Sequence, residues 1–166
     1  MITLYEKAYS FTRPNDTTPY AAGDLVANST TANQVVPLSW TFPSNAPALI
    51  PGIMIAFDKA DLANAQFRLH LLHTIPTFTS AGDNSAVATV VATGHSYRIG
   101  CYEGLLTTVS ADGASGLLVP VDGIILPVRK NPTAGVTTTL YGYLEARAAY
   151  TPKAQGVITS TLILEK

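Results

Sequence analysis

The sequence predicts an all-β fold, built from short antiparallel strands with little or no helix. Three observations carry that reading. Twelve glycines and eleven prolines are spread along 166 residues, so an uninterrupted helix has almost nowhere to sit. Between them lie short β-rich runs bounded by turn clusters at Pro14-Asn15-Asp16, Ala22-Gly23-Asp24, Pro43-Ser44-Asn45, Gly82-Asp83-Asn84, Ala111-Asp112-Gly113 and Lys130-Asn131-Pro132. Several runs alternate apolar and polar residues with period two, which puts successive side chains on opposite faces of a strand.

In chain order, residues 4–12 alternate as a first strand. Residues 35–42 form a second, with Pro37 at its start or on an edge because proline lacks the donor a central strand needs. Residues 52–57 read as a buried strand. The clearest is 66–73, where Phe67, Leu69 and Leu71 fall on one face and Arg68, His70 and Leu72 on the other. Residues 87–93 and 97–102 make two strands around a Gly94-His95 turn, and 105–109 with 123–128 continue the series across Asp112-Gly113 and Asp122-Gly123. Residues 138–150 form a long strand, with Leu140, Leu144, Ala146 and Ala148 on one side and Tyr141, Tyr143, Glu145 and Arg147 on the other. After a turn at 151–156, residues 157–164 close the series. Residues 59–64, with Asp58 as N-cap, are the one helical stretch; they are too short to stand alone and read as a loop or single turn. No repeat, charge block or linker longer than a turn is visible, so 1–166 is expected to be a single domain. About eight antiparallel strands in that length suit a β-sandwich of the jelly-roll type, with outer faces free to bind something. An immunoglobulin-like sandwich is the nearest rival.

Charged residues make up 13% of the chain and the formal charge is −1. So low and balanced a charge argues against disorder and against a nucleic-acid partner, and predicts a surface largely covered by protein. Cys101 is the only cysteine, which excludes an intrachain disulfide and a thiolate zinc cluster. The first residues mix Glu6 and Lys7 into an alternating pattern and lack the apolar stretch of a signal peptide, so no secretory leader is expected. The longest apolar runs, such as 116–121 and 157–164, fall far short of the ~20 residues of a membrane helix, and no membrane partner is expected.

Catalytic and ligand-binding chemistry is thin. His70 and His73 have the spacing of a helical metal pair, but on a strand positions three apart face opposite ways, so no shared metal is expected and His70 is read as hydrogen-bonding on the outer face beside Arg68. His95 falls in a turn. No G-x-S-x-G elbow, phosphate loop or EF-hand ladder is present; Asp58 with Asp61 sits in a turn-like setting with Lys59 between, and reads as solvated loop rather than a glycosidase pair. Cys101, between Gly100 and Tyr102, has no basic neighbour in sequence and reads as a structural thiol. No catalytic residue, metal or cofactor is expected. Arg68, Arg98, Arg129 and Arg147 are too few to force a basic stripe. Tyr141, Tyr143 and Tyr150 offer either an aromatic platform for a sugar or partner, or ordinary cross-strand packing.

The stretch Tyr9-Ser-Phe-Thr-Arg-Pro-Asn-Asp-Thr-Thr-Pro-Tyr-Ala-Ala-Gly-Asp-Leu-Val-Ala-Asn-Ser29 resembles the opening of a family of small structural proteins of tailed double-stranded DNA phages. Asn64-Ala-Gln-Phe-Arg-Leu-His-Leu71, Pro76-Thr-Phe-Thr79 and Gly82-Asp-Asn-Ser-Ala86 resemble the family's middle portion, and Leu144-Glu-Ala-Arg-Ala-Ala-Tyr-Thr-Pro152 its final hairpin. Matches thin out over 31–61 and 104–135. The resemblance implies a head decoration, or cement, protein: a jelly-roll homotrimer made in the host cytoplasm and carried on the outer capsid surface of the virion, clamping neighbouring major capsid subunits. Tyr9, Phe11, Arg13, Pro14 and Tyr20, anchor-type residues around the 14–19 turn, are the candidate capsid or subunit interface. Ordinary core packing of Tyr9 and Phe11 is the competing reading. The alternatives are a tail-fibre or receptor-binding module recognising a host glycan, a head-tail joining or other minor virion protein, and a hydrolase, which would require Ser, His and an acid to converge; no convergence is expected.

Overall fold

Alternation becomes structure most plainly at the chain's last strand, where Ile158, Ser160, Leu162 and Leu164 are buried and every residue between them is half-exposed. The computed structural model describes residues 4–43, 48–59, 65–79, 81–93, 98–110, 113–121, 126–128 and 137–165. In chain order these hold β1 (Leu4–Thr12), β2 (Leu25–Val26), a 3-10 turn (Ala32–Gln34), β3 (Leu38–Pro43), β4 (Ala48–Phe57), β5 (Gln66–Leu72), β6 (Thr77–Phe78), a single helical turn α1 (Val87–Val90), β7 (Val91–Thr93), β8 (Arg98–Leu105), β9 (Thr107–Ser110), β10 (Gly113–Pro120), β11 (Leu126–Val128), β12 (Thr137–Ala146) and β13 (Val157–Glu165).

Among the described residues every strand pairing is antiparallel. The long strands pair in the orders β1-β13-β4-β10 and β3-β12-β5-β8, and the two runs join where β10 meets β8 at Val119 opposite Glu103 and Pro120 opposite Tyr102. Numbered one to eight along the chain, those strands read 1-8-3-6 and 2-7-4-5. That is the jelly-roll order of two interlocked Greek keys, and it sets aside the immunoglobulin-like alternative. Short β2, β9 and β11 extend the edges, and β6 pairs with β7 apart from the main sheet.

The core lies between the inner faces: Ile53, Ile55 and Phe57 of β4, Phe67, Leu69 and Leu71 of β5, Tyr102 of β8, Leu118 of β10, Leu140 and Leu144 of β12, and Trp40 of β3. Trp40 crosses the sandwich and donates its indole N–H to the Ser160 carbonyl at 3.3 Å. Tyr102 likewise donates to the Ile50 carbonyl at 2.8 Å, so both buried aromatics have a partner for their polar end. At the corner where β8 and β10 pass from one sheet to the other the backbones approach closely. A Cβ on Gly116 would lie 2.3 Å from the Leu105 carbonyl oxygen, and one on Gly104 would lie 2.4 Å from that of Leu117, so glycine is required at both.

Several elements differ from the sequence reading. Residues 87–93 are not one strand: 87–90 form α1 and 91–93 form β7. Residues 35–37 precede β3 rather than belong to it, because the 3-10 turn and Pro37 delay the start of pairing. Residues 147–150 leave β12, and Tyr150 instead makes an isolated bridge to Tyr20. Strand β10, whose Gly113 and Gly116 break the apolar pattern, was not anticipated at all. The 94–95 turn, His95, Asp61, residues 60–64 and 123–125, and Arg129 lie outside the described residues.

Candidate functional site

The N-terminal segment folds into a buried polar knot. Arg13, nearly inaccessible, pairs with Asp83 at 2.8 Å, donates from Nε to the Tyr20 hydroxyl at 2.7 Å, and donates from Nη1 to the Lys153 carbonyl at 3.1 Å. Asp83 also accepts from the Tyr20 hydroxyl at 2.5 Å and from the Ala27 amide at 2.7 Å. Burial opposes the charge on Arg13, but Tyr20 and Asp83 outweigh it and hold the guanidinium above its ordinary value. Burial lifts the Asp83 carboxyl above its ordinary value, against the pull of Arg13 and its hydrogen-bond donors. The loop that carries Asp83 is shaped by Gly82, where a Cβ would sit 2.0 Å from the Ser29 carbonyl oxygen, and by Asn84 at φ 60°. Tyr20 stacks on Tyr150 with centroids 4.8 Å apart, and Tyr150 meets the edge of Phe67.

Of the five candidate interface residues, Arg13 and Tyr20 are therefore turned inward, while Tyr9, Phe11 and Pro14 remain partly accessible, with Tyr9 and Phe11 packed against the core. Of the segments quoted for the resemblance, 9–29, 82–86 and 144–152 meet at this knot. Its bonds link Arg13 to Asp83, Tyr20 to Tyr150 and Asp24 to Ala86.

The same convergence covers the outer face of the second sheet. Leu25, Ala27, Leu72, Phe78, Val87 and Tyr143 form a second apolar cluster there, so that face is not free to bind, contrary to the expectation for a bare sandwich. Beside the cluster runs a chain of paired charges. Arg68 bonds Glu103; Arg147 reaches Glu103 at 3.2 Å and Glu145 at 2.8 Å; Glu145 meets His70 Nε2 at 2.6 Å; and His70 Nδ1 lies 3.4 Å from Cys101 Sγ. His70 also stacks on Tyr143 at 4.4 Å. Its outward direction follows the sequence reading, while its near-complete burial comes from the cover above it.

Cys101, His70 and Glu145 thus stand in the order of nucleophile, base and acid, a convergence that the sequence reading did not anticipate because the three residues lie on β8, β5 and β12. The arrangement does not activate the thiol. Burial pushes Cys101 above its ordinary value and His70 below its own, so at neutral pH both stay uncharged. Glu145, opposed by burial but hydrogen-bonded by His70 and Arg147, is held below its ordinary value and remains the charged member. Among the described residues no group of three or more His, Cys, Asp or Glu is placed to hold a metal. Tyr143 is buried within the second cluster and Tyr150 packs with Tyr20, so neither joins the half-buried Tyr141 in an exposed platform. Asp58 serves the fold, accepting from the Val157 amide at 2.7 Å.

The outer face of the first sheet is different. Met54 and Leu117 sit opposite one another on β4 and β10, and Val119 and Val121 follow on the same face. Leu105 of β8 flanks them. All five are between 40% and 50% exposed, an apolar stripe across three neighbouring strands, bordered at Val119 by Glu103, which faces it from β8 and is paired with Arg68 and Arg147. Gly52 lets the Leu117 side chain lie across β4, since a Cβ there would meet Leu117 Cδ1 at 2.8 Å. Sequence reasoning missed the stripe because β10 was not recognised, so the parity of 117, 119 and 121 was not assigned.

No protein-family model matches the chain, and no curated protein matches it. Among solved structures it is similar to turnip yellow mosaic virus, at 8% identity and a TM-score of 0.26, covering 99% of this chain and 93% of that one. It is similar to the native virion of Kashmir bee virus at acidic pH, at 12% identity and a TM-score of 0.23, covering 95% and 71%. It is also similar to black queen cell virus, at 12% identity and a TM-score of 0.25, covering 98% and 68%. At these TM-scores the likeness assigns no residue a role.

Proposed function

We propose that the chain is a viral structural protein without catalytic activity: a capsid decoration protein of a tailed phage, a single domain that binds the outer surface of the head and bridges major capsid subunits. The observation that carries this reading is the apolar stripe of Met54, Leu105, Leu117, Val119 and Val121, which presents large apolar side chains where a solitary soluble domain has reason to present polar ones. Such a stripe has the composition of an interface centre, and Thr159 and Thr161 of β13 with Ser115 of β10 supply a polar rim. Tyr9, Phe11 and Pro14 add a second contact region, with Arg13 and Tyr20 holding the segment in shape. The sequence resemblance points the same way and adds a trimeric assembly. A protein that binds the assembled lattice and not its free subunits shifts the equilibrium toward the intact shell by mass action, with no chemistry required.

The test is co-sedimentation with heads that lack the protein. Leu117→Glu with Val119→Glu, both on an exposed face, should leave the fold intact and reduce occupancy at least tenfold. Wild-type occupancy for that double variant would overturn the assignment of this face.

A further inference from the structure

The main sheet has one long edge without a proline or a bulge, its charges limited to Glu6 and Lys7. Among the described residues β1 pairs with β13 alone, in an unbroken register from Leu4 opposite Glu165 to Thr12 opposite Val157. The other border strands are interrupted or short: β2 has two residues, β3 ends at Pro43, β9 has four residues beside a bulge, and β11 has three with Pro127 at its centre. β1 has nine residues, no proline and no bulge. An edge of that kind is a template for another strand.

Its orientation is set by the Arg13 amide, which donates to the Gly156 carbonyl and continues the ladder one residue past the strand. Odd-numbered residues therefore turn their backbone groups to β13, and Leu4, Glu6, Ala8, Ser10 and Thr12 turn theirs to the free edge. All five are exposed, as are Tyr5 and Lys7.

From this geometry we infer that the protein pairs with a second copy of itself through β1, antiparallel about a twofold axis at Ala8, joining two sheets into one. The sequence of β1 is complementary to its own reverse. In the register that uses all nine residues, Leu4 faces the partner's Thr12, Tyr5 the partner's Phe11, Glu6 the partner's Ser10, Lys7 the partner's Tyr9, and Ala8 the partner's Ala8. Two aromatic pairs and two lysine–tyrosine pairs form on one face, no like charges meet, and the smallest side chain sits on the axis. The contact is isologous and closes as a dimer; it stands independently of the decoration reading and is compatible with a threefold assembly, for which it would join neighbouring trimers.

Symmetric cross-linking tests it. Across the axis the two Ala8 Cα atoms would be about 5.5 Å apart, within the span a disulfide closes. In a Cys101→Ala background, Ala8→Cys should give a disulfide-linked dimer under mild oxidation. Thr12→Cys should cross-link to Leu4→Cys when the two are mixed, and not to itself. Ala8→Pro removes an amide that faces solvent in the single chain, so it should keep the melting temperature while lowering the associated mass measured by light scattering over the micromolar range. Ala8→Cys linking no better than Thr12→Cys, wild-type protein that runs as a monomer throughout, or an assembly whose mass Ala8→Pro leaves unchanged would each overturn the inference. Should Ala8→Pro lower the melting temperature, the cross-linking comparison decides alone.

Discussion

At the scale of single residues, the polar groups of this chain are spent on holding segments together. Arg13 illustrates this: its side chain is the type found at interface centres, yet it is buried in an ion pair with Asp83 and hydrogen-bonded to Tyr20 and Lys153. Removing one partner of a buried pair leaves the other charge uncompensated, so Asp83→Ala should lower stability by about 3–5 kcal/mol. Chemical denaturation measures this, and a loss under ~1 kcal/mol would contradict the buried pairing. Cys101 gives a second check. Burial holds the Cys101 thiol above its ordinary value, so thiolate is scarce at pH 7 and alkylation by iodoacetamide should be slower than for a free cysteine. Faster alkylation would show that His70 activates the thiol.

The His70 and Glu145 pair adds a pH dependence. His70 titrates below 6.5 in the fold and Glu145 below 4.5, so in each case the unfolded chain binds protons first as pH falls. Their contribution is complete above about pH 6.5 and is lost on acidification, His70 first and Glu145 further down. Compared with wild type, His70→Gln should therefore flatten the fall of the denaturation midpoint just below pH 6.5, while the raised Asp83 carboxyl acts in the opposite sense on acidification. Identical pH profiles for the two proteins would contradict this.

At the scale of elements, legibility followed the strength of the alternation. Strand β1 was readable to the residue, and β5 and β13 to within one, because in each several apolar residues recur at even spacing: Tyr5, Tyr9 and Phe11, then Phe67, Leu69 and Leu71, then Ile158, Leu162 and Leu164. Strand β10 was not readable: Gly113 and Gly116 stand where the fold needs two backbones to touch, and tertiary packing rather than local pattern selects them. Residues 87–90 carry strand-type side chains in a helical turn, because Val87 is drawn into the cluster over Tyr143. Gly116→Ala should accordingly disrupt the corner between β8 and β10 and destabilise the protein by more than the roughly 0.5 kcal/mol within which surface changes fall. A thermal melt matching wild type would show that the corner has room.

For the whole molecule, the jelly-roll order was legible only as a class. Strand count and turn spacing indicate a sandwich, whereas the 1-8-3-6 and 2-7-4-5 orders depend on pairings between residues as far apart as Leu4 and Glu165. The candidate site was legible in part. The 9–29 segment stood out, but its most distinctive residues shape a knot, and the exposed apolar stripe falls at residues 54, 105, 117, 119 and 121, inside the stretches 31–61 and 104–135 where the resemblance thins.

The most direct test of the decoration reading is a reconstruction of purified virions, combined with the copy number of this chain relative to the major capsid protein. The account predicts many copies on the outer shell, with the face of Met54, Leu117 and Val119 against the capsid. A few copies at the tail, absence from the particle, or that face turned to solvent would contradict it.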